Sequence, residues 1–166
     1  DYPQKLYNSV LYTGNGASDK AVTGVGFQPD WLWGKVRSAV NDSWIYDSTR
    51  GDFRLVTDST AAQVDYSANS QNADEATFIG RSLRANGGTT SSNGNGDLTS
   101  TVQVDPSGSF SIVSYTGTLS GAGVQTVGHG LSSAPSYIIT KVKASGNWWV
   151  LSDGQASWNY AMNLNG

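Results

Sequence analysis

The sequence is poor in the residues that build covalent, metal and redox sites. Its 166 residues include no cysteine, one histidine (His129) and one glutamate (Glu75). Without cysteine there are no disulfides and no thiolate metal sites. A single histidine limits nucleophilic triads and histidine metal sites. We therefore expect stability to come from packing alone, and we expect no cofactor and no metal ion.

Charge and long apolar runs are also scarce. Charged residues make up 14% of the chain, with 10 Lys and Arg against 13 Asp and Glu, and the net charge is −3. Since no cluster of basic residues is present, nucleic acid is not an expected partner. No apolar run approaches the roughly 18 residues that span a bilayer, so membrane insertion is not expected. The sequence does not begin with methionine, which predicts a fragment or a processed product.

Small polar residues and aromatics are abundant instead. The chain has 20 Gly, 6 Trp and 8 Tyr, with many Ser, Thr and Asn, a profile that favours short strands joined by tight turns. No segment has the i, i+3, i+4, i+7 apolar spacing of a helix with caps. The composition predicts an all-β fold.

One pattern occurs twice, about 104 residues apart. Tyr12-Thr13-Gly14 and the strand leading to Lys35-Val36-Arg37 return as Tyr115-Thr116-Gly117 and the strand leading to Lys141-Val142-Lys143. Such a long period predicts a duplicated unit rather than a solenoid. We expect two tandem, related antiparallel β-sandwich units of jelly-roll type, at residues 1–85 and 98–166, joined by a Gly/Ser/Asn-rich linker at 86–97. The second unit is predicted to be incomplete at its C-terminus, where a strand from a partner chain or residues beyond Gly166 would complete it.

Alternating apolar residues and turn signals predict the individual strands. In the first unit the predicted strands cover residues 6–12, 21–25, 31–37, 43–47, 53–57 and 77–83. The second unit contains the clearest hairpin, in which Asp105-Pro106-Ser107-Gly108 forms a type I turn. Further strands are predicted at 124–127, 137–143 and 148–152.

The aromatic residues give the best candidates for a binding surface. Alternation places Trp31, Trp33, Lys35 and Arg37 on one face of a strand. Indole rings stack on sugar rings, and Trp, Tyr and Arg also concentrate in protein interfaces. For each Trp, core packing is the competing interpretation. The predicted binding set is Trp31, Trp33, Lys35, Arg37, Trp44, Trp148, Trp149, Trp158 and Tyr160.

Three other patterns have simpler structural interpretations. Asp42 and Asp47 are the best candidate carboxylate pair for glycoside hydrolysis, although two carboxylates at turn ends near Arg37 or Arg50 explain them as well. The segment 93–97 alternates Asn and Asp with Gly as some calcium loops do, but it lacks the later Glu. His129 lies in a Gly-His-Gly sequence, which is typical of a turn or packing residue.

Several motifs carry a resemblance to a known family. Tyr12-Thr13-Gly14-Asn15-Gly16, Gly26-Phe27-Gln28-Pro29-Asp30 and Asp47-Ser48-Thr49-Arg50-Gly51 in the first copy, and Thr126-Val127-Gly128-His129-Gly130-Leu131 in the second, are similar to a repeated β-rich domain in virion and tail-fibre-like proteins of marine tailed phages, including cyanophages. The chain departs from that pattern at Gly34-Lys35-Val36-Arg37, where the family usually has Ile-Lys-Asn-Arg. The family offers no agreed catalytic residues to transfer.

The resemblance implies a non-enzymatic component of the virion surface, on a tail fibre or on the capsid. Its expected partners are other virion proteins, further copies of itself in a homo-oligomer such as a trimer, and host surface glycans. A stand-alone carbohydrate-binding adhesin is the alternative, and a polysaccharide depolymerase is a weaker one.

Overall fold

The computed structural model describes residues 5–16, 21–66, 76–118, 123–154 and 161–165. These residues form an all-β structure of antiparallel sheets, which confirms the predicted fold class. The described part of the chain contains no helix long and apolar enough to cross a membrane. The strands, in chain order, are β1 Tyr7–Thr13, β2 Trp31–Val36, β3 Ser43–Asp47, β4 Gly51–Val56, β5 Val64–Asp65, β6 Thr77–Leu83, β7 Ser91–Asn93, β8 Ser100–Val104, β9 Ser111–Tyr115, β10 Tyr137–Lys141, β11 Trp148–Ser152 and β12 Met162–Asn163.

The largest sheet has six strands in the order β1-β6-β2-β3-β4-β5. Strand β6 lies between β1 and β2, and pairs antiparallel with both. Leu83, for example, is the partner of Tyr7 on one side and of Trp31 on the other. A strand far along the sequence thereby brings β1 beside the β2–β3 hairpin.

One predicted strand, 21–25, is wrong. The segment pairs with no other strand in the structure. Gly24 and Gly26 have φ values of 90° and 84°, which do not occur in a regular strand. It is held instead by the Asn8 side chain, whose Nδ2 donates to the carbonyls of Gly24 at 3.2 Å and Val25 at 2.9 Å. The segment packs across one face of the sheet, enclosing a small cavity with Val10, Tyr12 and Leu32 among its walls.

Two three-stranded sheets, β7-β8-β9 and β10-β11-β12, follow in the second half. The predicted β8–β9 hairpin is confirmed, and its turn is closed by the Gly108 amide donating to the Asp105 carbonyl at 2.8 Å. The predicted strand at 124–127 is reduced to one bridge between Val127 and Leu98. Strand β7 lies inside the segment 86–97, which its composition predicts to be a flexible linker, and it pairs with β8.

The apolar core joins the large sheet to the β10-β11-β12 sheet. Ile45 and Leu55 form a buried cluster with Trp148, which is 4% exposed, and Trp31, Trp33, Ile139 and Leu164 pack against it. The Trp148 indole N–H donates to the Val56 carbonyl at 2.7 Å. Contacts between the two halves of the chain are therefore extensive, while the division into units 1–85 and 98–166 stays a prediction.

A polar junction links the large sheet to the β7-β8-β9 sheet. The Asp30 carboxylate, 1% exposed, accepts hydrogen bonds from the amides of Ala85, Gly87 and Gly88 and from the Ser48 hydroxyl, at 2.7–3.0 Å. Burial alone raises the pKa of Asp30, but these four donors outweigh it and hold the pKa below its ordinary value.

Gln103 lies beside Asp30 and is also 1% exposed. Its amide oxygen accepts hydrogen bonds from the amides of Asn86 and Gly88, and its Nε2 donates to the hydroxyls of Ser48 and Thr49. The segment that begins the predicted linker is thus fixed by side chains from both halves.

Candidate functional site

One face of strands β1, β6 and β2 forms a regular array of side chains, which we call the three-strand face. Residues paired directly across neighbouring strands project to the same side of a sheet. The register therefore aligns side chains in four rows, from one end of the strands to the other. The rows are Tyr7–Leu83–Trp31, Ser9–Arg81–Trp33, Leu11–Ile79–Lys35 and Thr13–Thr77–Arg37.

The three-strand face is open along β1 and covered toward β3. Tyr7 is 46% exposed and Leu11 is 63% exposed, both unusually high for large apolar side chains in a sheet. Trp31 and Trp33 are partly buried because they contact the core cluster around Trp148. The accessible part of the face consequently runs from β1 across β6 to the edge of the two indoles.

Three cations lie in successive rows of this face. The Arg81 guanidinium is 5.8 Å from the Trp33 ring centroid, within reach of a cation–π interaction. Lys35 Nζ donates to the Asn41 carbonyl, and Arg37 is exposed. Among the described residues the one ion pair joins Arg50 to Asp47, where β3 turns into β4, so these three cations have no carboxylate partner there.

The opposite side of the same strands is apolar and packed. The Tyr12 and Phe78 rings stack with centroids 5.0 Å apart, and Trp44 meets Phe78 edge to face at 6.2 Å. The Trp44 ring lies over Gly34, where an added Cβ would come within 2.6 Å of it. This packing fixes the pleat of β2 and therefore the side on which Trp33, Lys35 and Arg37 emerge.

The predicted binding residues fall into different environments. The structure brings together Trp31, Trp33, Lys35 and Arg37 on one face, as their alternation indicates. Trp44 packs on the reverse side, and Trp148 is a core residue rather than a surface platform. Trp149 is 42% exposed on β11, apart from the others. Trp158 and Tyr160 lie outside the described residues.

The candidate carboxylate pair does not form a catalytic pair. Asp42 precedes β3 and Asp47 ends it, so about 16 Å of extended strand separates them, whereas glycosidase carboxylates lie roughly 5–9.5 Å apart. Asp47 is held by Arg50, whose backbone amide and side chain both donate to it. Glu75 lies outside the described residues.

The segment 93–97 and His129 adjoin a shallow polar hollow of about 260 Å³ between β7 and the 127–131 segment. The Asp97 carboxylate accepts hydrogen bonds from the Thr126 amide and hydroxyl, which lower the pKa of Asp97. His129 Nδ1 accepts the Leu131 amide at 3.1 Å, in agreement with the turn interpretation. No group of three or more potential metal ligands occurs within the described ranges.

Comparison with models of protein families gives a match over nearly the whole chain. The profile of a domain of unknown function, DUF7483, covers residues 2–166. The chain belongs to the DUF7483 family. Neither a curated protein nor a solved structure matches it.

Two of the three strands of this face, β1 and β6, supply residues that sequence reasoning missed. Tyr7 and Leu11 on β1, and Ile79 and Arg81 on β6, complete the array begun by β2. Alternation within each strand shows which residues share a side. It does not show that β6 lies between β1 and β2. No local sequence pattern therefore indicates that the three strands form one surface.

Proposed function

We propose that the protein is a non-enzymatic attachment component of a tailed-phage virion, displayed on a tail fibre or on the capsid surface. The observation that carries this proposal is the three-strand face, where exposed Tyr7 and Leu11 adjoin Arg81, Lys35 and Arg37. Exposed aromatic and aliphatic side chains beside Arg are characteristic of interaction surfaces.

Two further features support the proposal. The turn and strand motifs resemble those of virion proteins of marine tailed phages. The buried carboxylates also have structural partners: Asp30 binds the 85–88 segment, and Asp105 accepts the amides of Ser107, Ser109 and Phe110 in the β8–β9 turn. These carboxylates therefore stabilise the segment after β6 and the turn between β8 and β9.

The location on the particle can be tested with antibodies raised against the purified protein. Purified, intact particles of a phage that encodes the chain are examined by immunogold electron microscopy and by mass spectrometry. We expect gold at a regular position on the particle and peptides of the chain among the structural proteins, with pre-immune serum as the control. Absence of both signals from intact particles would contradict the proposal.

A stand-alone carbohydrate-binding module is the second candidate, and Trp149 is the observation that favours it. This indole is 42% exposed, and its strand partners on the two sides are Thr140 and Asn163. A ring for stacking flanked by a hydroxyl and an amide suits a neutral sugar. A glycan array comparing wild type with Trp149→Ala tests this candidate, which fails if no neutral glycan is retained or if the substitution changes nothing.

A further inference from the structure

We propose that the ligand of the three-strand face is an anionic polysaccharide, a chain of sugar rings that bears carboxylate or sulfate groups. This inference rests on the proposed attachment function and names its ligand class. It follows from where the cations lie in the sheet, from what surrounds them, and from their distance to the sheet edge.

The cations are spaced for a polymer. Arg81, Lys35 and Arg37 occupy consecutive rows, and consecutive rows are about 6.6 Å apart along a strand. Lys35 Nζ has three donor hydrogens, and Asn41 takes one of them. The three-strand face contains no carboxylate in its four rows. A ligand with regularly repeated anionic groups can contact all three cations, whereas a single small anion can contact only one or two.

The surroundings of the cations suit sugars. Tyr7 and the accessible part of Trp33 offer ring surfaces in neighbouring rows, and Ser9, Thr13 and Thr77 add hydroxyls. Sugar rings stack their C–H faces on aromatic rings while their hydroxyls exchange hydrogen bonds with such side chains. The face therefore combines the apolar, polar and cationic contacts that an acidic sugar chain requires.

An acidic peptide fits this arrangement less well. An extended peptide would add to the free edge of β1, where main-chain groups supply its affinity. The Leu6–Arg84 and Gly14–Ala76 hydrogen bonds show that even-numbered β1 residues bond toward β6, so the odd-numbered ones direct their backbone groups outward. Side chains of an added strand would then lie beside Tyr7 to Thr13, while Lys35 and Arg37 are two strands, about 9.6 Å, further in. Lys35 and Arg37 therefore lie where a ligand bound on the face can reach them, and not beside a strand added at the β1 edge.

The test measures binding of the purified protein to four probes: dextran sulfate, alginate, neutral dextran and poly-glutamate. The double variant Lys35→Gln/Arg37→Gln is compared with Arg84→Gln/Lys143→Gln, which removes the same charges from exposed positions outside the face. We expect retention on dextran sulfate and alginate that weakens as salt rises. The face variant should lose affinity about fivefold or more, while the control variant stays within about twofold of wild type.

Each outcome decides the inference. Equal retention on neutral dextran, equal loss in both variants, or equal binding of poly-glutamate overturns the assignment of an anionic polysaccharide. Thermal melting of both variants establishes that they are folded, and Arg81→Gln provides an independent variant in the same face. If the protein is present on particles but binds neither charged polysaccharide, this inference fails while the proposed function stands. If the protein binds the charged polysaccharides but is absent from particles, the ligand class stands while the proposed function fails.

Discussion

At the residue scale, the groups that determine the architecture are buried polar side chains. Asp30 and Gln103 together accept the amides of residues 85–88, and both form a hydrogen bond with the Ser48 hydroxyl. From sequence, Asp30 is a turn residue next to Pro29 and Gln103 an outward position in an alternating strand. Neither pattern reveals that both are buried, because burial here depends on partners more than 50 residues away.

Replacing Asp30 by Asn should destabilise the fold. An amide retains one acceptor oxygen and turns an NH₂ group toward the amides of Ala85, Gly87 or Gly88. We expect Asp30→Asn to lower the free energy of unfolding by about 1–3 kcal/mol, since it leaves buried donors unsatisfied. Urea denaturation measures this, with exposed Asp52→Asn expected within about 0.5 kcal/mol of wild type. Equal stability of the two variants would contradict the role of the carboxylate.

The same carboxylate should make stability depend on pH in acid. Hydrogen bonds outweigh burial and hold the pKa values of Asp30 and Asp105 below the ordinary range in the folded protein. The unfolded chain then binds protons more readily, so stability is complete above about pH 5 and falls as pH drops below about 4. Urea midpoints measured from about pH 5 to well below pH 4 should fall less steeply for Asp30→Asn than for wild type. Parallel curves would show that Asp30 contributes nothing to the acid sensitivity.

At the element scale, alternation and turn signals predict strands well where the sequence determines the residue type on both faces of the strand. The predicted strands at 43–47 and 148–152 match β3 and β11. Strand β7 escaped prediction because Ser91, Ser92 and Asn93 are typical of loops, and its pairing with β8 compensates for weak propensity. The placement of β6 is non-local, so no pattern within a strand specifies it.

Strand β2 should depend on the absence of a side chain at position 34. Because a Cβ on Gly34 would approach the Trp44 ring within 2.6 Å, the ring or the strand must shift. We expect Gly34→Ala to cost about 1–3 kcal/mol through overpacking and to change the near-UV circular dichroism of the tryptophans. Gly117→Ala is the matched control, since its added Cβ would have open space. An unchanged spectrum and stability in Gly34→Ala would refute the close approach.

At the scale of the whole molecule, the sheets are joined across the predicted boundary between units. Trp148 of the second half fills the cluster formed by Ile45 and Leu55 of the first half. Backbone hydrogen bonds from Gly146 to Thr60 and from Gln63 to Lys143, both 2.8 Å, add to this contact. The sequence pattern that occurs twice therefore coexists with a core shared by the two halves.

We expect the protein to unfold in one cooperative transition. Fluorescence and far-UV circular dichroism should give coincident urea curves. Trp148→Phe, which removes the hydrogen bond to the Val56 carbonyl and part of the core volume, should lower the single midpoint by the equivalent of about 1–3 kcal/mol. Trp149→Phe, at the exposed neighbouring position, serves as the control. Two separate transitions, with only one shifted by Trp148→Phe, would show that the halves unfold independently.

The central claim is that the three-strand face attaches the particle to its target. The most direct measurement is the adsorption rate of phage particles that carry Lys35→Gln/Arg37→Gln, compared with particles that carry Arg84→Gln/Lys143→Gln. We predict that both variants assemble in normal numbers and that only the face variant adsorbs more slowly, by about fivefold or more at low salt. Normal adsorption of the face variant, with the altered protein present on the particles, would contradict the claim.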